Sequence, residues 1–126
     1  MQLNHLEVCD FRNVTLADID LSPGINLLVG ENGAGKTAIL EAVFLLARGR
    51  SFRTTHSKQL IRHNAPELIV RGEVECAQLV HRLARAKSRS GETKARIDGE
   101  AALKQSRFAE LMPLQTLLPG IADLVL

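Results

Sequence analysis

The chain is 126 residues long with a formal net charge of +2, enough for one modest hydrophobic core in a single domain, 1–126. It contains no apolar run of about 18 or more residues and no charged-then-apolar N-terminus of the secretory kind, which excludes a spanning helix and a signal peptide and leaves the cytoplasm as the expected compartment. Cys9 and Cys76 stand apart, outside any C-x-x-C spacing, and His5, His56, His63 and His81 have no partner at metal-ligand spacing, so disulfide and zinc chemistry are set aside.

In chain order, residues 3–11 and 14–21 read as two strands joined by a short turn at Arg12-Asn13, with Leu6 and Val8 on one face and Ile19 and Leu21 likewise spaced by two. Ser22-Pro23-Gly24 has turn chemistry and leads into Ile25-Asn26-Leu27-Leu28-Val29, a short apolar buried strand. Directly after it stands Gly30-Glu31-Asn32-Gly33-Ala34-Gly35-Lys36-Thr37, a complete G-x-x-x-x-G-K-[ST] loop. Residues 37–47 then read as an amphipathic helix, with Ile39, Leu40, Val43, Phe44 and Ala47 at helical spacings and with Glu41 and Arg48 off that face; Gly49 closes it.

Strand, loop and helix in that order give the motif its mechanism. The glycines let successive amide N–H groups converge on one anion, and the loop feeds a helix N-terminus whose unpaired N–H groups and dipole favour phosphate. Lys36 reaches the β- and γ-phosphates, and the Thr37 hydroxyl ligates Mg²⁺. The expected ligand is a nucleoside triphosphate with magnesium.

Beyond the helix, residues 50–64 read as a polar, basic loop with one short helical turn. Residues 67–75 alternate, with Leu68, Val70 and Val74 on one side. Residues 78–86 and 93–98 read as further strands, with turns at Ser90-Gly91 and Asp98-Gly99. Residues 106–111 read as a short helix capped by Ser106, and 114–118 as another strand. The expected architecture is a mixed α/β layer with an antiparallel strand cluster beside the nucleotide site.

Charge is unevenly spread. Up to residue 47, Arg12 and Lys36 face Glu7, Asp10, Asp18, Asp20, Glu31 and Glu41. Farther on, Arg48, Arg50, Arg53, Lys58 and Arg62 run with no acid among them, and Arg82, Arg85, Lys87, Arg89, Lys94 and Arg96 with only Glu92. Such clusters are the electrostatic footprint of a polyanion partner, or else a solvated face.

The N-x-G-x-G-K-T wording from Asn32 to Thr37, with Asp10-Phe11-Arg12-Asn13, Leu21-Ser22-Pro23-Gly24, Leu40-Glu41-Ala42, Gly49-Arg50-Ser51-Phe52-Arg53 and Ile61-Arg62-His63, resembles the ATP-binding head of ABC-type ATPases of DNA metabolism. Within them the chain is similar to the RecF family of bacterial replication and repair proteins. The resemblance implies the N-terminal lobe of an ABC-ATPase-like P-loop NTPase head of α/β class, with ATP and Mg²⁺ as cofactors. It implies that Gly30, Glu31, Asn32, Gly33, Ala34, Gly35, Lys36 and Thr37 form the Walker A loop and that Arg12 and Asn13 lie near the nucleotide phosphates. Gln115 then matches the glutamine that senses the γ-phosphate through magnesium, and Arg53 an arginine directed at DNA, with Arg50 and Lys58 beside it. For the whole protein it implies a slow DNA-dependent ATPase of the bacterial cytoplasm that dimerises with ATP. Such a protein engages single-strand/double-strand junction DNA and works with RecO and RecR to load recombinase in recombinational repair and the SOS response.

No run of apolar residues ending in Asp-Glu is present, and no Ser-Gly-Gly-type signature; hydrolysis in such heads needs both. The chain is therefore expected to be the N-terminal part of a longer protein and inactive alone. The rival readings are the head of a chromosome-maintenance protein, a transporter ATPase subunit, a small-molecule kinase, and a DNA clamp that binds nucleotide without turnover. The transporter reading lacks an adenine-stacking Tyr or Trp, and the kinase reading does not explain the strands before the loop.

Overall fold

The computed structural model describes residues 1–21, 34–102 and 104–113, and for residues 34–36 the backbone alone. The expected turn at Ser22-Pro23-Gly24, the buried strand at 25–29, loop residues Gly30, Glu31, Asn32 and Gly33, and the strand at 114–118 with Gln115 lie outside the described residues.

Alternation of apolar and polar residues builds one six-stranded sheet, in the order β2-β1-β3-β4-β5-β6. Strand β1 (Gln2–Phe11) pairs antiparallel with β2 (Val14–Asp20) across the two-residue turn Arg12-Asn13. On its other edge β1 pairs with β3 (Glu67–Cys76), with Val8 opposite Val70 and a register shift between Leu3 and His5. β3 turns into β4 (Leu79–Ser88), which pairs with β5 (Thr93–Ile97), and β6 (Glu100–Ala101) closes the edge. In β3, Leu68, Val70, Gly72 and Val74 are buried while Glu67, Arg71 and Glu75 are exposed, the period-2 pattern of a strand with one face on the core. Every pairing among the described residues is antiparallel, so the expected antiparallel cluster is present and any mixed character lies outside them.

Around two turns the strands depart from the sequence reading. Ala77 and Gln78 form the β3–β4 turn with φ of 52° and 67°, positions that usually select Gly or Asn. With neither present, the turn is silent in sequence, and the strand expected from residue 78 begins at Leu79. At Asp98-Gly99 the expected turn carries positive φ at both residues, and the short β6 beyond it adds a strand that two residues could not announce.

Helix α1 (Ala34–Arg48) begins earlier than residue 37, so Gly35, Lys36 and Thr37 all lie in its first turn. It is buried continuously from Leu40 to Ala47, Glu41 included, and Arg48 after them is exposed. Over residues 40–47 the helix is thus enclosed rather than amphipathic. Gly72 makes the contact with the sheet close: a Cβ there would stand 2.6 Å from Leu46 Cδ2. Gly49, at φ +80°, donates its N–H to Leu45 O at 2.7 Å and ends the helix as expected.

Behind that end lies α2 (Gln105–Leu111), which buries Phe108 and Leu111 and is followed by buried Met112. Its N-cap is Lys104, with no side-chain cap hydrogen bond, and not Ser106. The earlier start puts Gln105 in the first turn, where its Nε2 donates to Ala47 O at 2.6 Å. Arg85, from β4, donates Nε–H to Leu46 O at 2.8 Å and Nη2–H to Gln105 Oε1 at 2.6 Å, with its guanidinium 3.8 Å from the Phe108 ring centre. A cation on the last carbonyls of α1 is the favourable sign for a helix C-terminus.

Candidate functional site

The turn between β1 and β2 is conformationally constrained. Asp10 and Arg12 carry φ of 52° and 55°, in the left-handed region that side-chain-bearing residues seldom occupy. The strain is held by a second segment stitched to the end of β1: Arg12 N–H donates to Leu60 O at 2.6 Å, Arg62 N–H to Asp10 O at 2.8 Å, and Phe11 forms a lone antiparallel bridge with Ile61. Arg62 Nε–H adds an ion pair to Asp10 Oδ1 at 2.7 Å.

Between this stitched corner and the early turns of α1 opens a cleft of about 900 Å³. Ala38 supplies the α1 wall, Arg12, Asn13 and Thr15 the strand-turn wall, and residues 58–59 and 61–64 with Arg53 and Arg89 the rest. Arg12, Arg53, Lys58, Arg62, Arg89 and His63 all line it, and among the described residues no Asp or Glu does. A concave surface with one sign of charge concentrates its field and attracts an anion.

One acid stands directly behind that wall. Glu41, expected off the apolar face of its helix, is fully buried. Its carboxylate accepts from Arg12 Nε at 2.8 Å and Nη2 at 2.9 Å, a two-point fork, and from the Ser51 hydroxyl. Arg53 Nη1 lies 3.7 Å from the same carboxylate. Ser51 Oγ in turn accepts from the N–H groups of Arg53 and Thr54 at 2.8 and 3.3 Å, which fixes the start of the basic loop. Hydrogen bonding to Glu41 raises the Arg12 pKa above its ordinary value, against a smaller opposing effect of burial.

Of the residues singled out in sequence, Arg12, Asn13, Arg53 and Lys58 meet in this cleft. Ala34, Gly35, Lys36 and Thr37 form the first turn of the helix that walls it. Arg50 does not line the cleft; its guanidinium lies 5.4 Å from the Phe44 ring centre. The basic run from Arg82 to Arg96 is not the continuous charged face its composition suggests. Arg85 is buried, its pKa pushed down to about 10 by desolvation, and burial, with the charge of Arg85, also lowers Lys87. Arg89 turns inward to Ala65 O and Arg62 O at 2.6 and 3.0 Å, while Arg82, Lys94 and Arg96 are exposed.

Sequence reasoning placed Arg62 and Arg89 in basic runs and Glu41 and His63 in stretches that carry the resemblance, and put none of the four at the nucleotide site. For Glu41 there was a signal, a single acid inside the apolar run from Ala38 to Ala47. For Arg62 and Arg89 there was none, because their positions follow from the non-local stitching of residues 60–62 to β1.

The RecF/RecN/SMC N terminal domain model matches residues 2–120. The chain is 41% identical over 119 residues to the DNA replication and repair protein RecF of Pectobacterium atrosepticum and 42% identical to that of Yersinia enterocolitica, in each case over 94% of this chain. It spans 33% of the length of these curated relatives. Among solved structures it is similar to the recombination mediator protein RecF-ATP in the RecFOR pathway, with a TM-score of 0.75, 27% identity, and coverage of 85% of this chain and 30% of that one. An SMC ATPase structure concerned with ATP-driven dimerization and DNA-stimulated activation matches at a TM-score of 0.74 and 21% identity, over 93% of this chain and 81% of that one, which is a likeness of fold.

Proposed function

Because the chain belongs to the RecF/RecN/SMC N-terminal domain family, we propose that it is the ATP-binding lobe of a RecF-like DNA replication and repair ATPase. The observation that carries this reading is the basic cleft, walled by the helix whose first turn holds Gly35, Lys36 and Thr37. An anionic ligand seated there meets the positive end of α1 and the guanidinium of Arg12 together.

In this reading the Gly30–Thr37 loop wraps the phosphates, Lys36 pairs with the β- and γ-phosphates, and Arg12 and Asn13 face them from the strand turn. A basic cleft suits a magnesium nucleotide; Thr37 and Gln115 would hold Mg²⁺, which neutralises phosphate charge. Without an apolar-run Asp-Glu or a signature segment, the chain by itself binds ATP without turnover. In the whole protein we place ATP-dependent dimerisation on junction DNA in the cytoplasm, partnership with RecO and RecR, and recombinase loading in repair and the SOS response.

Titration with a labelled ATP analogue tests the site. Lys36→Ala removes the one mobile cation of the loop, and a charge-assisted contact contributes about 1.5 to 3 kcal/mol, so affinity falls roughly ten- to a hundredfold. Unchanged affinity would overturn the assignment. The DNA reading is tested in the full-length protein with Arg50→Glu, a residue that does not line the cleft: sequence-independent binding weakens and its salt dependence becomes shallower, whereas an identical salt slope would withdraw the DNA role of Arg50.

A further inference from the structure

We propose that Glu41 is a positioning residue: its buried carboxylate sets the guanidinium of Arg12 and the loop carrying Arg53 against α1, so that both cations are presented to the anion in the cleft. The proposal rests on the nucleotide reading of that cleft and adds to it a residue that makes no contact with the ligand.

Three chain segments converge on one carboxylate. Arg12 comes from the β1–β2 turn, Ser51 and Arg53 from the loop after α1, and Glu41 from the body of α1. Glu41 sits five residues after Lys36, about 7.5 Å along a helix, so the carboxylate and the phosphate-facing first turn belong to one rigid element. Arg12 gives Nε–H and Nη2–H to Glu41, which fixes the plane of the guanidinium and leaves the Nη1 side for another partner. Arg53 is held more loosely, at 3.7 Å and 43% exposed, but its backbone is tied to Glu41 through Ser51 Oγ. A simple structural cross-link needs one partner; here both arginines that reach the carboxylate also line the cleft.

Charge counting alone predicts the opposite effect. Deleting a negative charge behind the cleft raises its positive potential and would tighten an anion. Positioning predicts weaker binding, because an unpinned guanidinium must be ordered again when the ligand arrives. The direction of the change therefore separates the two.

The test is ATP titration, in the presence of Mg²⁺, of the chain and of Glu41→Gln, Arg12→Gln and the double variant, with circular dichroism and thermal midpoints recorded for each. Each single variant should lose about fivefold or more in affinity, and the double variant less than the two losses combined, because part of the Glu41→Gln loss runs through Arg12. Should Glu41→Gln fail to fold, Ser51→Ala cuts only the link to the Arg53 loop and should lose about two- to threefold. Unchanged or tighter binding by the folded variants, or losses that add, would overturn the proposal. Lys36→Ala run beside them keeps the two readings apart: full affinity in that variant denies the nucleotide site, while loss there with Glu41→Gln unaffected denies only the role of Glu41.

Discussion

His5 shows how single residues on the open face of the sheet respond to their neighbours. It sits on β1 beside β2, with Nδ1 2.6 Å from Asp20 Oδ1 and Nε2 2.5 Å from Asp18 Oδ1. The hydrogen bond to Asp20 is the main cause that raises its pKa above the ordinary 6.5; burial opposes it, and the charges of Asp18 and Asp20 add to the rise. A raised folded-state pKa means that the protonated imidazolium stabilises the fold. That contribution is complete below 6.5 and is lost as pH rises through the folded value. Urea midpoints of the chain and of His5→Gln should therefore differ more at pH 5.5 than at pH 8.5, and a difference that grows with pH would contradict this. Asp98 has the reverse sign: His81 and the Arg82 N–H lower its pKa, so its contribution is present above the ordinary carboxylate range and fades as pH falls through the depressed value.

At the scale of elements, the contact between α1 and the sheet depends on Gly72. A methyl group there meets Leu46 Cδ2 at 2.6 Å, with Leu3 Cδ1 at 3.4 Å on the other side. Gly72→Ala should lower stability by about 1 to 3 kcal/mol, the usual cost of overpacking, measured by chemical denaturation; an unchanged midpoint would show that the interface has slack. The elements themselves were largely legible. Alternation in residues 67–75 gave β3, and the apolar run with its closing Gly49 gave α1, because one face of the strand and the body of the helix had to be buried. What stayed hidden depended on tertiary partners. Helix periodicity put Glu41 at the surface, yet Arg12 and Ser51, brought in by the sheet and the following loop, make its burial tolerable. Arg85 read as part of a basic face, yet the carbonyl end of α1 and the Phe108 ring take it inside. The start of α2 was misplaced because Gln105 reaches Ala47 O, a contact 58 residues away in sequence.

For the whole molecule, β1 is the organising strand. It pairs with β2 next to it in sequence and with β3 more than fifty residues on, and its end is bridged to Ile61. That non-local stitching gathers the cations of two distant basic stretches, Arg53 and Lys58 with Arg89, into one cleft beside Arg12. The candidate cleft was thus partly legible: the resemblance pointed to Arg12 and Asn13 and the motif to the residues that begin α1, while the gathering of cations around them came only from the fold. The measurement that tests its identity most directly is amide chemical-shift mapping as ATP and Mg²⁺ are added to the chain. Shifts concentrated at Gly35 to Ala38, Arg12, Asn13 and residues 58–64, with the exposed Leu79-Val80 end of the β3–β4 hairpin unmoved, are the predicted result. Saturable shifts centred elsewhere, with the α1 first turn and Arg12 unchanged, would contradict the assignment of this cleft as the nucleotide site.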